Sequence, residues 1–279
     1  MYEGNMSKVF KLYDNLYFRQ ANLEIRDQCN SGFLILDNCT AIIDYPVQAP
    51  DHEILDEAEK ITGKPVKYFL ITHAHCDHVT GFKSLHRDDI NLITRLSSIN
   101  QLYLEGYPVP KVEYAVEKSE EIELDGHKIS FTVPAETAHS PWDLLIGIPE
   151  HSIVFTGDMV ALEKNMFFHS SNLDGWLQAM DDLCASDWKY IARGHGPIIE
   201  HAGLEQTRNY LKLLWDARKW QRDHNENVTD TSVANADKML SKPLAETVNE
   251  LLKYSDAHNV ARQINQLYYK LRTETSYKG

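Results

Sequence analysis

The chain has 279 residues, of which 43% are hydrophobic and 25% charged, so it suits one large globular domain or a domain with an appendage. Its formal net charge of −13 argues against nucleic acid as a partner, and no apolar run is long enough to span a membrane. The four cysteines lack the dense spacing of a disulfide framework, and the N-terminus is unlike a signal peptide. We therefore expect a cytoplasmic protein.

The N-terminal part is predicted to consist of short strands separated by turns. Alternating apolar residues place these strands at 9–13, 16–19, 33–36 and 41–43. An amphipathic helix is predicted over 50–61, with Gly63 as its stop signal. The apolar run 66–71 that follows has the composition of a buried strand.

A second strand and helix are predicted at 91–94 and 97–105, and strands return between 121 and 156. Asp125-Gly126 is typical of a hairpin turn, and residues 149–152 indicate another.

The last part of the chain is predicted to be mostly helical. A helix over 173–185, with Asp174 as its N-cap, is followed by a strand at 189–192. Beyond residue 203 only helices are predicted, near 203–224, 233–254 and 257–273. We therefore divide the chain into an N-terminal domain of strands and helices, 1–202, and a C-terminal α-helical region, 203–279.

The segment Thr72–His78, with the sequence THAHCDH, places four strong metal ligands directly after the buried strand at 66–71. In an extended segment, residues two apart point to the same side, which predicts that His73, His75 and Asp77 converge. His78 would lie past a bend and serve a neighbouring ion. This pattern is typical of a metalloenzyme.

Three further candidate ligands occur downstream, each at a strand end or in a glycine-flanked loop. They are His139 in TAHSPWD, Asp158 in FTGDM and His195 in ARGHGP. Together with the four residues of the first motif they make seven ligands, which is enough for two ions that share one carboxylate.

This ordered set resembles the metallo-β-lactamase superfamily over roughly residues 10–200. The resemblance implies an α+β fold, a four-layer αββα sandwich with the metals at one edge and, here, a C-terminal helical appendage. It also implies that one ion binds His73, His75 and His139. The other ion would bind Asp77, His78 and His195, with Asp158 bridging the two.

Imidazole and carboxylate ligands suit zinc, but they also accept iron or manganese, so the cofactors expected are two divalent ions, most simply Zn²⁺. The reaction expected is attack by a metal-bridging hydroxide on the acyl carbon of a small molecule. Asp77 is the candidate catalytic residue, because its carboxylate is placed to accept a hydrogen bond from that hydroxide. No oligomeric state is predicted.

Asp158 narrows the substrate class within the superfamily. Within the superfamily that this chain resembles, hydrolases of esters, thioesters and lactones keep this aspartate, whereas true β-lactamases generally lack it. The resemblance therefore implies an ester, thioester or lactone as the substrate. The chain also lacks the three consecutive histidines usual in the motif of glyoxalase II, which argues against a glutathione thioester as the substrate. An iron-dependent persulfide dioxygenase and, less favoured, a β-lactamase stay open as alternatives.

Four other residues near the ligands have candidate roles. Asp44, at the end of the strand 41–43, is a candidate support for a ligand histidine, and an ordinary turn residue is an equal alternative. His169 and Trp142 are candidate substrate-binding residues, although a surface loop and the core, respectively, are their simpler interpretations. Cys76 is expected to be a packed, inert thiol.

Overall fold

Two β-sheets form the centre of the structure, a computed structural model that describes residues 7–22, 28–46, 54–161 and 166–276. The first sheet contains the first seven strands in chain order: β1 (Lys8–Tyr13), β2 (Leu16–Gln20), β3 (Ser31–Ile35), β4 (Thr40–Ile43), β5 (Val66–Ile71), β6 (Asn91–Arg95) and β7 (Lys111–Val116). Its strands β1 to β4 are antiparallel, and β4 to β7 are parallel.

The second sheet has six strands in reverse chain order across the sheet. They are β8 (Glu120–Leu124), β9 (His127–Thr132), β10 (Leu145–Ile148), β11 (Ile153–Phe155), β12 (Tyr190–Ala192) and β13 (Ile199–Glu200). Only the pair β11 and β12 is parallel. The carboxyl ends of parallel strands meet at the same edge of a sheet. The loops that follow β4 and β5 therefore lie next to each other, and so do the loops that follow β11 and β12.

Helices cover the outer face of each sheet. The helices are α1 (Ile54–Thr62), α2 (Cys76–Val79), α3 (Leu96–Leu104), α4 (Leu173–Cys184), α5 (Leu204–His224), α6 (Asp230–Ala234), α7 (Ala236–Met239), α8 (Lys242–Leu251) and α9 (Ala257–Ser276). Apolar side chains of α1 and α3 pack on the first sheet, and those of α4 and the C-terminal helices pack on the second. A third cluster fills the space between the sheets. The predicted four-layer α+β sandwich with C-terminal helices is therefore confirmed.

Most predicted strands occur within one or two residues of their predicted bounds, and the buried strand Val66–Ile71 agrees at both ends. The hairpin turn is also confirmed, because Asp125 and Gly126 both adopt positive φ, 43° and 84°. The helix predicted over 50–61 begins at Ile54 in the described residues, and residues 50–53 lie outside them. Strands β7 and β13 were not predicted.

Two helix predictions were wrong. The N-cap of α4 is Asn172, whose side chain accepts hydrogen bonds from the backbone of Asp174 and Gly175. The helix predicted over 233–254 is three helices, α6 to α8. Pro243 lies in the first turn of α8, where its ring fits a helix start but not a helix interior.

Candidate metal centre

The loop after β5 delivers its four ligands in two directions. His73 and His75 precede helix α2, whereas Asp77 and His78 lie inside it. The expectation that Asp77 continues the extended alternation of the two histidines was therefore wrong. Because the backbone turns into a helix at Cys76, Asp77 and His78 face one group of ligands while His73 and His75 face another.

The first group consists of three histidines. His139 Nε2 lies 2.9 Å from His75 Nδ1, and the ring of His73 meets both of the other rings edge to face. His73 and His139 are buried, with 1% and 3% of their surface exposed. Three imidazole nitrogens thus surround one point, as a tetrahedral metal with an open position requires.

The second group consists of two carboxylates and two histidines. Asp77 Oδ2 lies 2.9 Å from His195 Nε2 and 3.7 Å from His78 Nε2. Asp158 Oδ1 lies 3.4 Å from His78 Nε2 and 3.5 Å from His195 Nε2. All four side chains therefore direct a ligand atom to the same place.

Asp158 lies between the two groups. Its Oδ1 faces His78 and His195, while its Oδ2 lies 3.9 Å from His139 Nε2 in the first group. The rings of His73 and His78 are 4.1 Å apart between centroids, so the two groups adjoin. One carboxylate thus presents one oxygen to each group.

These residues fit divalent ions. Zinc bonds of about 2.0–2.1 Å in a tetrahedron separate neighbouring ligand atoms by about 3.3 Å, close to the separations within both groups. His73 Nε2, His78 Nε2 and Asp158 Oδ1 are buried without a hydrogen-bond partner. Since buried polar atoms are almost always bonded, three unpartnered atoms at one place indicate a site that would accept a cation.

Burial keeps the histidines of the first group neutral. It lowers the pKa of His139 to about 3, and it lowers the pKa of His73 well below its ordinary value, to which neighbouring histidines also contribute. Neutral imidazole is the form that binds a metal, so these three nitrogens need not lose a proton first.

Carboxylates have the opposite effect on the histidines of the second group. Burial alone would lower the pKa of His195, but the nearby carboxylates of Asp158 and Asp77 outweigh burial and raise the pKa to about 10. For His78, burial is likewise outweighed, by Cys29, then Asp44, and then Asp77 and Asp158, so that its pKa lies well above the ordinary value. A cation bound here takes the place of these protons.

Asp44 orients His78 from behind. Its Oδ2 lies 2.8 Å from His78 Nδ1, and its Oδ1 accepts a hydrogen bond of 2.8 Å from the backbone of Thr72. Asp44 has a φ of 57°, in the left-handed region, which directs its side chain back under the loop that follows β5. These contacts favour a supporting role for Asp44 over that of an ordinary turn residue.

Glycine is required where the loops approach one another. A Cβ on Gly194 would lie 2.2 Å from Asp158 Oδ1 and 2.9 Å from His78 Cε1. Gly157 has a φ of 51°, and a Cβ there would lie 2.6 Å from Thr72 Oγ1. The glycines that flank Asp158 and His195 therefore allow the two loops to pack against the first motif.

The other candidate residues differ in their placement. The ring of Trp142 lies 5.4 Å from that of His75, and the same side chain also packs against the apolar cluster of the first sheet. His169 is exposed, and no contact found among the described residues joins it to the ligands. Cys76 is exposed, so the prediction that it is packed was wrong: helix α2 begins there and turns the thiol outward.

Two residues that support the centre were missed by the sequence analysis. Asp143 accepts hydrogen bonds from the backbone and hydroxyl of Ser140, at 2.8 and 2.5 Å, and so shapes the loop that follows His139. Burial raises the pKa of Asp143 to about 7. Asn30 bonds to the loop that carries His195. Asp143 could have been found from its spacing of three residues from Ser140. No local sequence pattern identifies Asn30.

Comparison with known proteins agrees with this geometry. The model of the metallo-β-lactamase superfamily matches residues 25–195, well over half of the chain. A β-lactamase-like protein 2 homolog of Caenorhabditis elegans is 24% identical over 178 residues, which cover 62% of this chain and 58% of that protein. The match thus spans little more than half the length of this relative.

Solved structures show the same fold. A metallo-β-lactamase from Pontibacter korlensis superposes with a TM-score of 0.66 at 17% identity, covering 74% of this chain and 99% of that one. The DIM-1 metallo-β-lactamase superposes with a TM-score of 0.64 at 20% identity, covering 75% of this chain and 98% of that one. In the described residues, no helix has both the length and the apolar character to cross a membrane.

Proposed function

The chain belongs to the metallo-β-lactamase superfamily, and we propose that it is a dinuclear metal-dependent hydrolase of an ester, a thioester or a lactone of a small molecule. His73, His75 and His139 would hold one ion, and Asp77, His78 and His195 the other. Asp158 would be shared. Zinc is the metal proposed, because its preferred ligands and bond lengths match both groups.

The placement of Asp158 is the observation that carries this proposal. Its Oδ1 lies within 3.5 Å of two histidines of the second group, and its Oδ2 faces His139 of the first. A carboxylate so placed can bind two cations at once and hold them at a fixed separation. Two ions held this closely supply, when bound, an activated water and a polarised substrate carbonyl at neutral pH.

The surrounding residues have separate tasks in this proposal. Asp77 Oδ2, which lies 2.9 Å from His195 Nε2, is a hydrogen-bond acceptor that can orient the proton of the attacking water. The half-buried ring of Trp142, beside His75, would form an apolar wall for the acyl group. His169 is kept as a weaker candidate for substrate contact, because its loop lies between Asp158 and α4.

Further parts of the proposal concern partners and location. The acidic charge supports a small-molecule substrate rather than nucleic acid. None of the four cysteines forms a disulfide, which supports a reducing compartment such as the cytoplasm. We also propose that residues 1–202 form the catalytic domain and residues 203–279 a C-terminal α-helical region.

Metal content per chain, measured by mass spectrometry on protein purified without chelators, is the first test. We expect about two zinc ions, followed by turnover of at least one substrate in a panel of esters, thioesters and lactones. A single iron with oxygen uptake on persulfides would replace the proposal with a dioxygenase. A β-lactamase is the less favoured alternative, because Asp158 is generally lacking in true β-lactamases, and rapid turnover of a chromogenic cephalosporin would support it instead.

A further inference from the structure

Asn30 is a buried polar residue that belongs to neither ligand group. It directly precedes β3, and only 3% of its surface is exposed. Its side-chain oxygen accepts a hydrogen bond of 2.9 Å from the backbone of Ala21, which follows β2. Since β2 ends and β3 begins at the edge where Asp44 follows β4, Asn30 lies at the edge of the sandwich that carries the metal centre.

The amide nitrogen of Asn30 bonds across to the other sheet. Its Nδ2 donates to the carbonyl of Arg193 at 2.8 Å and to the carbonyl of Gly196 at 2.7 Å. Its backbone nitrogen donates to the carbonyl of Gly194 at 2.7 Å. Three of the four backbone carbonyls from 193 to 196 thus accept hydrogen bonds from this one residue, and they flank His195 on both sides.

The same loop is held from its other side by the loop of Asp158. The backbone nitrogen of Gly194 donates to the carbonyl of Gly157 at 2.8 Å. Gly196 has a φ of 87°, outside the range of helices and strands, so no regular secondary structure fixes the turn after His195. The backbone at His195 is therefore set by hydrogen bonds from two directions, and Asn30 supplies most of them.

His195 depends on this backbone anchoring more than His78 does. The Nδ1 of His78 is held by the Asp44 carboxylate at 2.8 Å. In the part of the chain that the structure describes, the Nδ1 of His195 makes no hydrogen bond, and its only bonded ring atom is Nε2, which faces Asp77. The position of its backbone must then determine where Nε2 lies.

We propose that Asn30 is the positioning residue for His195. It would thereby control how tightly the second group binds its ion, while leaving the affinity of the first group nearly unchanged. The ion of the second group is called the second ion. The inference rests on the proposed two-ion centre. The first group takes none of its ligands from the loop at 193–196, so a change at Asn30 reaches it only weakly. The second group takes one of its histidines from that loop, and contacts of this kind alter metal affinity by about tenfold to hundredfold.

The decisive variant is Asn30→Asp, which keeps the size of the side chain but turns a carboxylate oxygen toward two carbonyls. Stepwise Zn²⁺ titration of chelator-stripped protein against a competing chelator measures the two affinities separately. We expect the second dissociation constant to rise by at least about tenfold, while the first changes by less than about twofold. Asn15→Asp is the matched control, because the Asn15 amide also bridges the sheets, to Glu150 at 2.7 Å, but at the opposite edge.

Equal weakening of both ions in Asn30→Asp, or no weakening of either, would overturn the assignment. A wild-type chain that takes up only one ion would instead overturn the two-ion centre itself. Wild-type protein also provides a test that does not depend on the folding of the variant. The side-chain amide protons of Asn30 should shift in NMR spectra on the second equivalent of zinc; a shift that is complete after the first contradicts the proposal.

Discussion

The carboxylate of Asp44 lies 2.8 Å from Nδ1 of His78, on the side of the ring opposite the ligand atom Nε2. The contact joins the end of β4 to helix α2 and fixes both the orientation and the tautomer of His78. Both side chains are buried, so the interaction takes place away from solvent.

Replacing Asp44 by Asn should weaken the second metal ion. Asparagine tolerates the positive φ of this position, but its amide group must meet either the Thr72 backbone donor or the His78 ring donor. We expect the affinity for the second ion to fall about tenfold to hundredfold, as measured by chelator competition. Asp56→Asn, on the exposed face of α1, is the control and should leave both affinities unchanged.

Removing the shared carboxylate should have a larger effect. Asp158→Ala takes away the one side chain that faces both groups, so we expect metal content near one ion per chain and hydrolysis reduced by more than about hundredfold. Metal analysis and initial rates on the same preparation test this. Turnover and metal content equal to those of the wild type would show that Asp158 bridges nothing.

Cys76 lies between two ligands but should contribute little to catalysis. Its thiol is exposed, and its backbone carbonyl accepts a hydrogen bond from Thr80 that does not depend on the side chain. We expect Cys76→Ser to lower kcat/KM by less than about tenfold, a loss of at most about 1.4 kcal/mol in transition-state stabilisation. The remote variant Cys184→Ser should behave similarly, and a much greater loss in Cys76→Ser alone would mean that the thiol takes part in the reaction.

Arg87 should contribute stability that disappears in acid. Hydrogen bonds from Arg87, and then from Lys67, lower the pKa of Asp89 below its ordinary value of 3.8. A carboxylate with a lowered pKa stabilises the folded chain above its unfolded pKa, and this contribution is lost as the pH falls through the folded pKa. We expect Arg87→Gln to destabilise the protein at pH 7 by no more than about 1 kcal/mol, since both side chains of the pair are partly exposed to solvent.

Urea unfolding of wild type and Arg87→Gln at a series of pH values measures this difference. The gap between the two should shrink below about pH 4, where Asp89 becomes protonated in the unfolded chain. Lys111→Gln removes a looser ion pair, 3.6 Å from Glu113, and serves as the control for loss of one surface charge. A gap that is constant down to pH 2 would show that Asp89 does not couple to Arg87.

The candidate ligands could be identified from the sequence because each lies directly after a strand or in a glycine-flanked loop that the pattern also identifies, and the structure brings them together. Their grouping was predictable only in part. Alternation placed Asp77 with His73, whereas the helix that begins at Cys76 directs it to His195. A four-residue helix has no periodic signal of its own, so the pattern of an extended chain was the wrong guide there.

Residues that act through backbone hydrogen bonds could not be predicted. Asn30 contacts carbonyls more than 160 positions away, and nothing in its neighbours indicates that distance. The broken helix at 233–254 has a different cause. There Pro243 was visible in the sequence, but the apolar spacing around it was given more weight than the backbone restriction that it imposes.

The ligands come from both sheets and from positions as far apart as His73 and His195. No short segment of the chain contains a complete group, because each group needs a residue from beyond position 138. During synthesis, the metal centre therefore forms only after the second sheet has been made and docked onto the first. Binding of the proposed ions would then be a late event in folding, and the fraction of chains that carry metal would report how many have completed the sandwich.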